Sequence, residues 1–533
     1  MAVHRSRWFS LTVLALLVTA EVSLAAEPVV FRLGNQAEPS TLDPHLASTA
    51  WENNIIGDLF MGLTTDDIEA RPIAGMAESW TISPDGLLWT FKLRPNLVWS
   101  DGVPLKASDF VFGFRHLFDP KTAAPYSSIQ YQIKNAEAVN SGKLPPDQVG
   151  VRAPDDRTVE IELATPTPFL LGLLTHYTAY PIPEHAYRKF GENWNKAGNM
   201  VSNGPFTLVS WKANAEIVAK KNPLFFDAKN VAIDEVIYYA TDDTMAALNR
   251  FRARDIDANI GTRGFPVSQY PLLKQNMPGE AHVSPMLGTE YIALNIRKAP
   301  FSDARLRKAI SLCLDRPVLT DKVLKDEQVP AFSFVPPGID NYHGGPKLNF
   351  LGLSMDQRRA EAKRLLAEAG YTADRPLIFE YKYMISIDSR RTVVAQSAML
   401  KECNMVVRLI GNEAKIHYDV MKVGDFTAAQ ARWGADYNDP QTFLYLLDSR
   451  SGSLNYGGYN NPAFDAIFDQ SKVTLDLEKR AELLTQAEQL MLDDAALVPL
   501  SFFTSKSLVA PYVKGYADNV TNIHRTRWMR IER

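Results

Sequence analysis

Strand-like and helix-like patterns alternate along the whole chain, and this mixture constrains the fold more than any other feature of the sequence. Residues 88–93, Leu-Trp-Thr-Phe-Lys-Leu, alternate in polarity between two turn signals and predict a strand. Further strands are predicted at 29–33, within 156–163 and within 232–240. Because strands and helices mix from one end to the other, the sequence predicts an α/β or α+β protein and not a helical bundle.

The predicted helices carry specific start and stop signals. Asp303 begins one that runs to Leu314, and Ser354 with Gln357 forms a capping box for a helix that ends near Gly370. A Val-Ser-Asn-Gly-Pro segment at 201–205 is a candidate linker, and the Pro/Gly-rich stretch 335–346 is either a second linker or a long loop. Two more helices are predicted, one at 108–118 and a long one with Leu477, Ala481, Leu484 and Met491 on one face.

The N-terminus has the pattern of a secretory signal peptide over residues 1–25. Arg5 and Arg7 precede a mainly apolar stretch at 8–20, and Ser-Leu-Ala at 23–25 is a small-x-small cleavage site. No cysteine lies at the cleavage site, so a lipid anchor there is not expected. The sequence therefore predicts export to the periplasm of a Gram-negative cell, without a lipid anchor.

Charge and cysteine content exclude several classes of protein. The formal net charge is −4 and no block of basic residues occurs, which argues against a nucleic-acid partner. The two cysteines, Cys313 and Cys403, belong to no C-x-x-C motif, so a cysteine-rich zinc site is not expected. In an oxidising compartment they could pair, but two buried free thiols are the favoured interpretation.

Catalytic motifs are absent from the sequence. It contains no G-x-G-x-x-G, no G-x-S-x-G, no P-loop and no H-E-x-x-H. The nine histidines are scattered and show no ligand spacing, so neither a metal nor a cofactor is predicted. The chain is therefore predicted not to be an enzyme, although a secreted hydrolase assembled from distant segments stays as the alternative from another class.

One acidic residue in the segment 431–440, Ala-Arg-Trp-Gly-Ala-Asp-Tyr-Asn-Asp-Pro, is not explained by local structure. Asp439 and Pro440 fit the N-cap and first turn of a helix over 441–448. Asp436 precedes that cap and follows Arg-Trp-Gly. An acid beside a Trp can bind a ligand ammonium through charge and ring face together, although a turn-stabilising Asp explains it equally well.

Seven segments in order give the chain a strong resemblance to a known family from about residue 29 to the end. It resembles the periplasmic oligopeptide-binding proteins of ABC importers, which belong to family 5, the peptide/nickel class of solute-binding proteins. The segments are Ser40–His45, Ala77–Trp80, Trp99–Gly102 with Ala107–Val111, Asn203–Phe206, Ala304–Ala309, Ala435–Asn438 and Asn461–Asp465.

The resemblance implies an architecture that the local patterns alone do not provide. It implies a two-lobed α/β periplasmic-binding-protein fold of the cluster C type, with an extra domain, a hinge between the lobes and ligand in the interlobe cleft. The implied division is lobe I from 26–50, 201–288 and 504–533, domain II from 51–200, and lobe III from 289–503.

The resemblance also implies roles for particular residues. Asp436 matches the acid that pairs with a peptide α-ammonium, and Trp433 and Gly434 match the segment that lines the extended peptide backbone. Glu38 matches a polar residue near the ligand, and Tyr437 belongs to the same segment as Asp436.

The groups that receive the ligand carboxylate in this family depart from the pattern. Gln430 stands where an arginine is common, and Met421 stands where a second basic residue is common. Arg432 could supply a replacement charge, as could Lys415 or Lys422.

The resulting hypothesis is a monomeric solute-binding protein that captures oligopeptides in the cleft. It would deliver them to the permease subunits of an inner-membrane ABC importer. The alternatives within the same fold are a murein tripeptide, an opine-like compound or a nickel chelate, for which His417 is the one histidine in the relevant region.

Overall fold

A mixed β-sheet forms the centre of the molecule. The computed structural model describes Met1, residues 27–325 and residues 327–533, so the predicted signal peptide at 1–25, apart from Met1, lies outside the described residues. Within the described residues the sheet has eleven strands with both parallel and antiparallel neighbours. In spatial order they are Met405–Asn412, Leu377–Met384, Ala428–Gly434, Ala281–Leu294, Leu497–Val509, Ala258–Asn259, Val30–Gly34, Glu235–Tyr239, Glu216–Lys221 and Phe206–Lys212, with Val329–Pro330 paired off this path to Leu497–Val509.

Two long antiparallel strands, Ala281–Leu294 and Leu497–Val509, cross the middle of this sheet and are called the crossing strands below. Their pairing shifts register where Met286–Gly288 lie opposite Phe503. Gly288 is required there, because a Cβ atom on it would lie 2.1 Å from the Phe503 ring. A bulge of this kind bends the strands that carry it.

Most of the buried apolar side chains in the described part of the chain belong to two separate clusters, which adjoin this bulge from its two sides. The first contains Phe31, Trp99 and Leu508, among others. The second extends along the chain from Leu287 to Leu500. The molecule therefore has two lobes that are joined through the crossing strands. The predicted lobe boundaries at 288/289 and 503/504 fall beside the bulge, and they stay a prediction.

A second, four-stranded antiparallel sheet packs on the first core. The predicted strand at 88–93 forms over Leu88–Leu93, and its alternate residues Trp89, Phe91 and Leu93 are buried. The strands are, in order, Ala77–Ile82, Leu88–Leu93, Thr158–Glu162 and Val151–Asp155. Two-stranded ribbons pair Thr64–Asp66 with Pro72–Ala74, and Val513–Lys514 with Arg530–Ile531.

The segment at 201–205 connects this part to the large sheet and is not a flexible linker. The Asn203 side chain donates to the carbonyl of Met61 at 2.9 Å and accepts from the Met61 N–H at 3.1 Å. Asn203 and its neighbour Gly204 are buried, and a Cβ atom on Gly204 would lie 2.5 Å from the backbone of Leu59. This connection is fixed by its own hydrogen bonds.

The helix signals read from the sequence are confirmed. Asp303 caps its helix by accepting from the Arg305 N–H, and both bonds of the Ser354–Gln357 capping box form. In the long C-terminal helix Ala481, Leu484 and Met491 are buried, whereas Leu477 at its start is exposed. The α-helices are Ala50–Leu59, Ala107–Phe118, Ala136–Asn140, Leu170–Leu173, Glu184–Phe190, Thr244–Arg252, Tyr270–Asn276, Ala304–Cys313, Arg316–Val318, Met355–Glu368, Ile387–Lys401, Ala414–Lys422, Gln441–Leu444, Pro462–Val473 and Leu477–Asp493.

The expectation of two free thiols is wrong. Cys313 and Cys403 are both fully buried and form a disulfide, with their Cα atoms 6.4 Å apart. Cys313 ends one helix and Cys403 follows another, and the two elements meet in the second core. Their separation of 90 residues hides this proximity from the sequence. Among the described residues, no helix is both long and apolar enough to span a membrane.

Candidate functional site

A cavity of about 500 Å³ lies between the two lobes, at the bulge of the crossing strands, and is called the cleft below. Met286, which belongs to the bulge, lines it. The first lobe contributes Asn53, Asn54, Tyr126, Phe169, His176 and Tyr177, among others. The second lobe contributes Asp340, Asn341, Gly434, Asp436, Tyr437 and Asn438, among others. Both lobes therefore face any molecule that enters the cleft.

Asp436 lies in the cleft because the chain leaves the sheet immediately before it. The strand Ala428–Gly434 pairs with a crossing strand up to Gly434, which lies opposite Gly288. The Ala435 N–H then donates to the carbonyl of Leu287 at 2.7 Å, which fixes the turn to the bulge. The Asp436 N–H donates to the Thr442 hydroxyl over 3.4 Å, and the Asp436 carboxylate lines the cleft.

The carboxylate of Asp436 lacks a cationic partner among the described residues. Burial raises its pKa, and one hydrogen bond from the Tyr126 hydroxyl opposes that rise. Burial, together with the nearby Asp436 charge, raises the pKa of Tyr126, so this hydroxyl remains a donor. Tyr126 belongs to the first lobe, and this hydrogen bond therefore crosses the cleft. A buried carboxylate with a single neutral donor is poised to accept a cation.

Gly434 borders the cleft with space around it. A Cβ atom on Gly434 would meet no other atom within 4 Å. The glycine is therefore not required by close packing within the protein, and it leaves the backbone beside Asp436 open to a ligand.

Tyr437 also lines the cleft and closes one side of it by stacking. Its ring lies parallel to that of Phe169 from the first lobe, with 5.2 Å between centroids and 4° between planes. Its hydroxyl donates to the side chain of Gln441. Tyr437 thus forms an apolar wall that both lobes share.

The helix that follows Asp439 begins at Gln441, and its N-cap is Pro440, one residue later than the predicted N-cap Asp439. Asp439 still has a structural role at this helix start. It accepts from the Gln441 N–H at 2.9 Å, and the helix that follows runs over Gln441–Leu444 and continues as a 3₁₀ turn to Leu447. Both of its oxygens also accept from Arg480 at 2.7 Å, and both side chains are fully buried. Asp439 is therefore a structural residue behind the cleft.

Trp433 and Arg432 do not line the cleft in this structure. Trp433 packs against the second core, with the Thr442 hydroxyl 3.4 Å from its ring N–H. Arg432 pairs with the buried Glu290, with 3.0 Å between Nε and Oε2. Glu290 also accepts from Gln430 at 2.7 Å. The positive charge of Arg432 is thus already matched by a carboxylate.

The remaining predicted residues also lie away from the cleft lining. Glu38 accepts from the ring N–H of Trp211 at 2.7 Å. Met421 is fully buried in the second core, and Lys415 and Lys422 are exposed on a helix of the second lobe. His417 is buried, and its Nε2 lies 2.7 Å from the carbonyl of Gln430. His417 therefore serves the protein's own packing, and the described residues contain no cluster that could hold a metal ion.

Several cleft residues could not be found by sequence reasoning. Tyr126, Phe169, His176 and Tyr177 come from the first lobe and belong to no local motif. Asp340 comes from the Pro/Gly-rich stretch 335–346, which is a loop of the second lobe and not a linker. Only the tertiary fold brings these segments to Asp436.

Comparison with known proteins places this cleft in a family. Residues 71–455 match the model of the bacterial extracellular solute-binding proteins, family 5. The periplasmic oligopeptide-binding protein OppA of Escherichia coli K12 is 39% identical over 505 residues, which cover 94% of this chain and 91% of OppA.

Solved structures agree with the sequence comparison. The unliganded open form of the murein tripeptide-binding protein MppA superposes with a TM-score of 0.85 at 33% identity, over 95% of this chain and 98% of MppA. OppA of Haemophilus influenzae in complex with the peptide RPPGFSPFR superposes with a TM-score of 0.78 at 36% identity, over 95% and 99% of the two chains. The two-lobed fold is the one expected. The chain is a member of the family 5 extracellular solute-binding proteins of bacteria.

Proposed function

We propose that this protein captures oligopeptides in the cleft and passes them to the permease subunits of an ABC importer. The observation that carries the proposal is the carboxylate of Asp436, which is buried between the lobes and has one neutral donor, Tyr126, as its hydrogen-bond partner. A peptide α-ammonium supplies the charge that this carboxylate lacks. Such a charged hydrogen bond contributes about 1.5–3 kcal/mol.

The backbone beside Asp436 suits an extended peptide. Gly434 is exposed at the end of a strand, and no side chain covers it within 4 Å of a Cβ position. Main-chain hydrogen bonds to a strand end do not depend on the side chains of the ligand, so binding of this kind tolerates many peptide sequences. Trp433 and Glu38 lie outside the cleft lining, so a role for either in binding would require the cleft to close.

Closure would occur about the bulge of the crossing strands. Ligand-binding lobes of this kind close by hinge motion at a few residues, and Met286–Gly288 lie where the two cores separate. The higher TM-score against an unliganded open form, 0.85 compared with 0.78 for a peptide complex, supports an open cleft in this structure.

The cellular setting completes the proposal. Residues 1–25 would direct export and be removed, and the mature protein would act in the periplasm as a monomer without a lipid anchor or cofactor. Catalysis is not part of the proposed role. A murein tripeptide also carries an ammonium and would fit the same anchor. For a nickel chelate, the described lining residues offer one histidine, His176, and no cluster that could hold a metal ion.

Mass spectrometry of the natural ligand tests the proposal. The protein would be purified from its native periplasm without refolding and then denatured, and the released small molecules would be identified. Peptides with free N-termini are expected, since burial between lobes retains a ligand through purification. Recovery of a non-peptide solute, or turnover of an ester or peptide panel, would contradict the proposal. Asp436→Asn protein purified in the same way provides the control and should release less peptide.

A further inference from the structure

The cleft carries an excess of negative charge. Three carboxylates line it, those of Asp66, Asp340 and Asp436. His176 also lines it, but burial lowers its pKa to about 3, so its ring is neutral at physiological pH. Neither a lysine nor an arginine is among the described residues that line the cleft.

The arginines behind the cleft are already engaged by carboxylates. Arg525 pairs with Asp66 at 3.5 Å. Arg71, next to the lining residues Ala70 and Pro72, pairs with both Asp67 and Glu69, at 3.0 and 2.6 Å.

The same holds in the second lobe, where Arg480 is held by Asp439 and Arg432 by Glu290. These arginines offset carboxylates of the protein, and among the described residues none of them forms an ion pair with Asp436 or Asp340.

Asp340 has a fixed backbone position in the cleft and a half-buried carboxylate. Its backbone N–H donates to Asn438 at 2.9 Å, and the next residue, Asn341, has the carboxylate of Asp439 as a 3.4 Å partner. Its own carboxylate accepts no hydrogen bond from the described residues. Burial raises the pKa of Asp340, the nearby positive charge of Arg71 opposes that rise, and two nearby carboxylates add to it.

A buried glutamate holds the loop that carries Asp340. Glu488 accepts from the backbone N–H groups of Phe334 and Val335 at 2.6 and 2.8 Å, and from the hydroxyl of Tyr342. The loop is therefore attached on both sides of Asp340, which keeps the Asp340 carboxylate in the cleft, where no described residue donates a hydrogen bond to it.

We propose that Asp340 is a second cation-binding residue of the cleft, so that the protein selects ligands with two positive charges. The α-ammonium would bind Asp436, and a lysine or arginine side chain of the same peptide would bind Asp340. This inference rests on the proposed peptide function and names the class of peptide. The opposite charge is disfavoured, because a ligand carboxylate in this part of the cleft would lie near Asp340 and Asp436, and the described lining residues include neither a lysine nor an arginine.

Calorimetry with matched peptides tests the proposal. The probes are tetra-alanine and its variants with lysine, norleucine or glutamate at position 2 or 3. Norleucine has the same aliphatic chain length as lysine without the ammonium, so the Kd ratio of each pair isolates the charge. At least one lysine peptide should bind five-fold or more tightly than its norleucine partner at low salt. The ratio should fall as salt rises, because the cleft is partly open to solvent.

Variants assign the preference to one residue. Asp340→Asn should reduce the lysine-to-norleucine ratio to less than two-fold while tetra-alanine still binds, and Asp340→Glu should retain the preference. Asp374→Asn is the matched control, because Asp374 is exposed on a loop of the same lobe. It should leave the ratio unchanged.

The outcomes separate this inference from the proposed function. If tetra-alanine binds but every lysine peptide lies within two-fold of its norleucine partner, the second cation site is refuted and the peptide function stands. A preference that survives Asp340→Asn also refutes the role of Asp340. If none of the peptides binds at any salt concentration, the proposed function fails and this inference fails with it.

Discussion

At the scale of single residues, Asp436 differs from its neighbour Asp439 in what its carboxylate contacts. Asp439 is fully buried and satisfied by two bonds from Arg480, so it offers nothing to a ligand. Asp436 lines the cleft, and Tyr126 is the one described residue that donates a hydrogen bond to its carboxylate. A buried carboxylate without a cationic partner destabilises the folded protein, and a ligand cation would remove that destabilisation.

The pH dependence of binding follows from this difference. Because burial raises the pKa of Asp436, the carboxylate gains a proton as the pH falls towards that value, and an ammonium must then displace the proton. Affinity for free peptides should therefore be constant well above this pKa and should fall below it, by up to about ten-fold per pH unit.

Tyr126→Phe removes the bond that opposes the rise in pKa, so the fall in affinity should begin at a higher pH. Calorimetry across a pH series would measure the pH at which peptide affinity begins to fall. If the pH dependence of peptide affinity is the same in Tyr126→Phe as in the wild type, the Tyr126 hydrogen bond does not affect the pKa of Asp436.

At the scale of secondary-structure elements, the disulfide joins the helix Ala304–Cys313 to the turn after Ile387–Lys401. It encloses a segment with a sequence separation of 90 residues within the second lobe. Replacing both cysteines by alanine should lower the free energy of unfolding by about 2–4 kcal/mol, as loss of a native disulfide usually does.

Denaturant unfolding would measure this loss, with the reduced wild-type protein as the matched comparison. Peptide affinity should stay the same, because neither cysteine lines the cleft. Equal stability of the oxidised and reduced proteins would contradict the expected contribution.

The loop that carries Asp340 depends on Glu488, which makes stability depend on pH. Burial raises the pKa of Glu488 to about 7, against the opposing bonds from Tyr342, Val335 and Phe334. The folded protein thus holds this proton more tightly than the unfolded chain does. The resulting stabilisation is full below a pH of about 4 and is lost as the pH rises towards 7.

Glu488→Gln keeps an acceptor for the two N–H groups and carries no charge at any pH. Relative to the wild type, it should be about neutral at pH 5 and stabilising by about 1–3 kcal/mol at pH 8. Thermal unfolding at both pH values would measure the difference. If the difference in stability between Glu488→Gln and the wild type is the same at pH 5 and pH 8, Glu488 does not titrate in this range.

At the scale of the whole molecule, the bulge of the crossing strands separates two cores that move as units in the proposed mechanism. Gly288 has no room for a side chain beside Phe503, which keeps the bulge at this position along the strands. Addition of a peptide that binds should lower the radius of gyration measured by small-angle X-ray scattering, as the lobes close. A radius that stays the same at saturating peptide would contradict closure.

How much the sequence could predict depended on whether a feature is local. The strand Leu88–Leu93 and the capping box at Ser354 are set by neighbouring residues, and both form as predicted. The pairing of Cys313 with Cys403 requires two helices to meet in the second core, and local patterns carry no information about that. The two lobes were predicted only through the family resemblance, since the bulge at Gly288 leaves no local signal.

The residues of the candidate site also fall into two groups, those that a local segment predicts and those that only the tertiary fold brings together. Asp436, Gly434 and Tyr437 were singled out in one segment and all line the cleft. Arg432 and Trp433 belong to the same segment but lie within the strand, where successive side chains point to opposite faces of the sheet. There Arg432 contacts Glu290 and Trp433 contacts Thr442. Tyr126 and Asp340 could not be predicted, because segments more than 90 residues away bring them to Asp436.

The central claim is that Asp436 binds the α-ammonium of a peptide, and a calorimetric cycle tests it most directly. Tetra-alanine and its N-acetylated form would be titrated into the wild type and Asp436→Asn, with Asp374→Asn as the control. Acetylation and Asp436→Asn should each weaken binding by about 1–3 kcal/mol. Together they should cost little more than either alone, since both remove one interaction. Equal affinity of the wild type for the free and acetylated peptides would contradict the account.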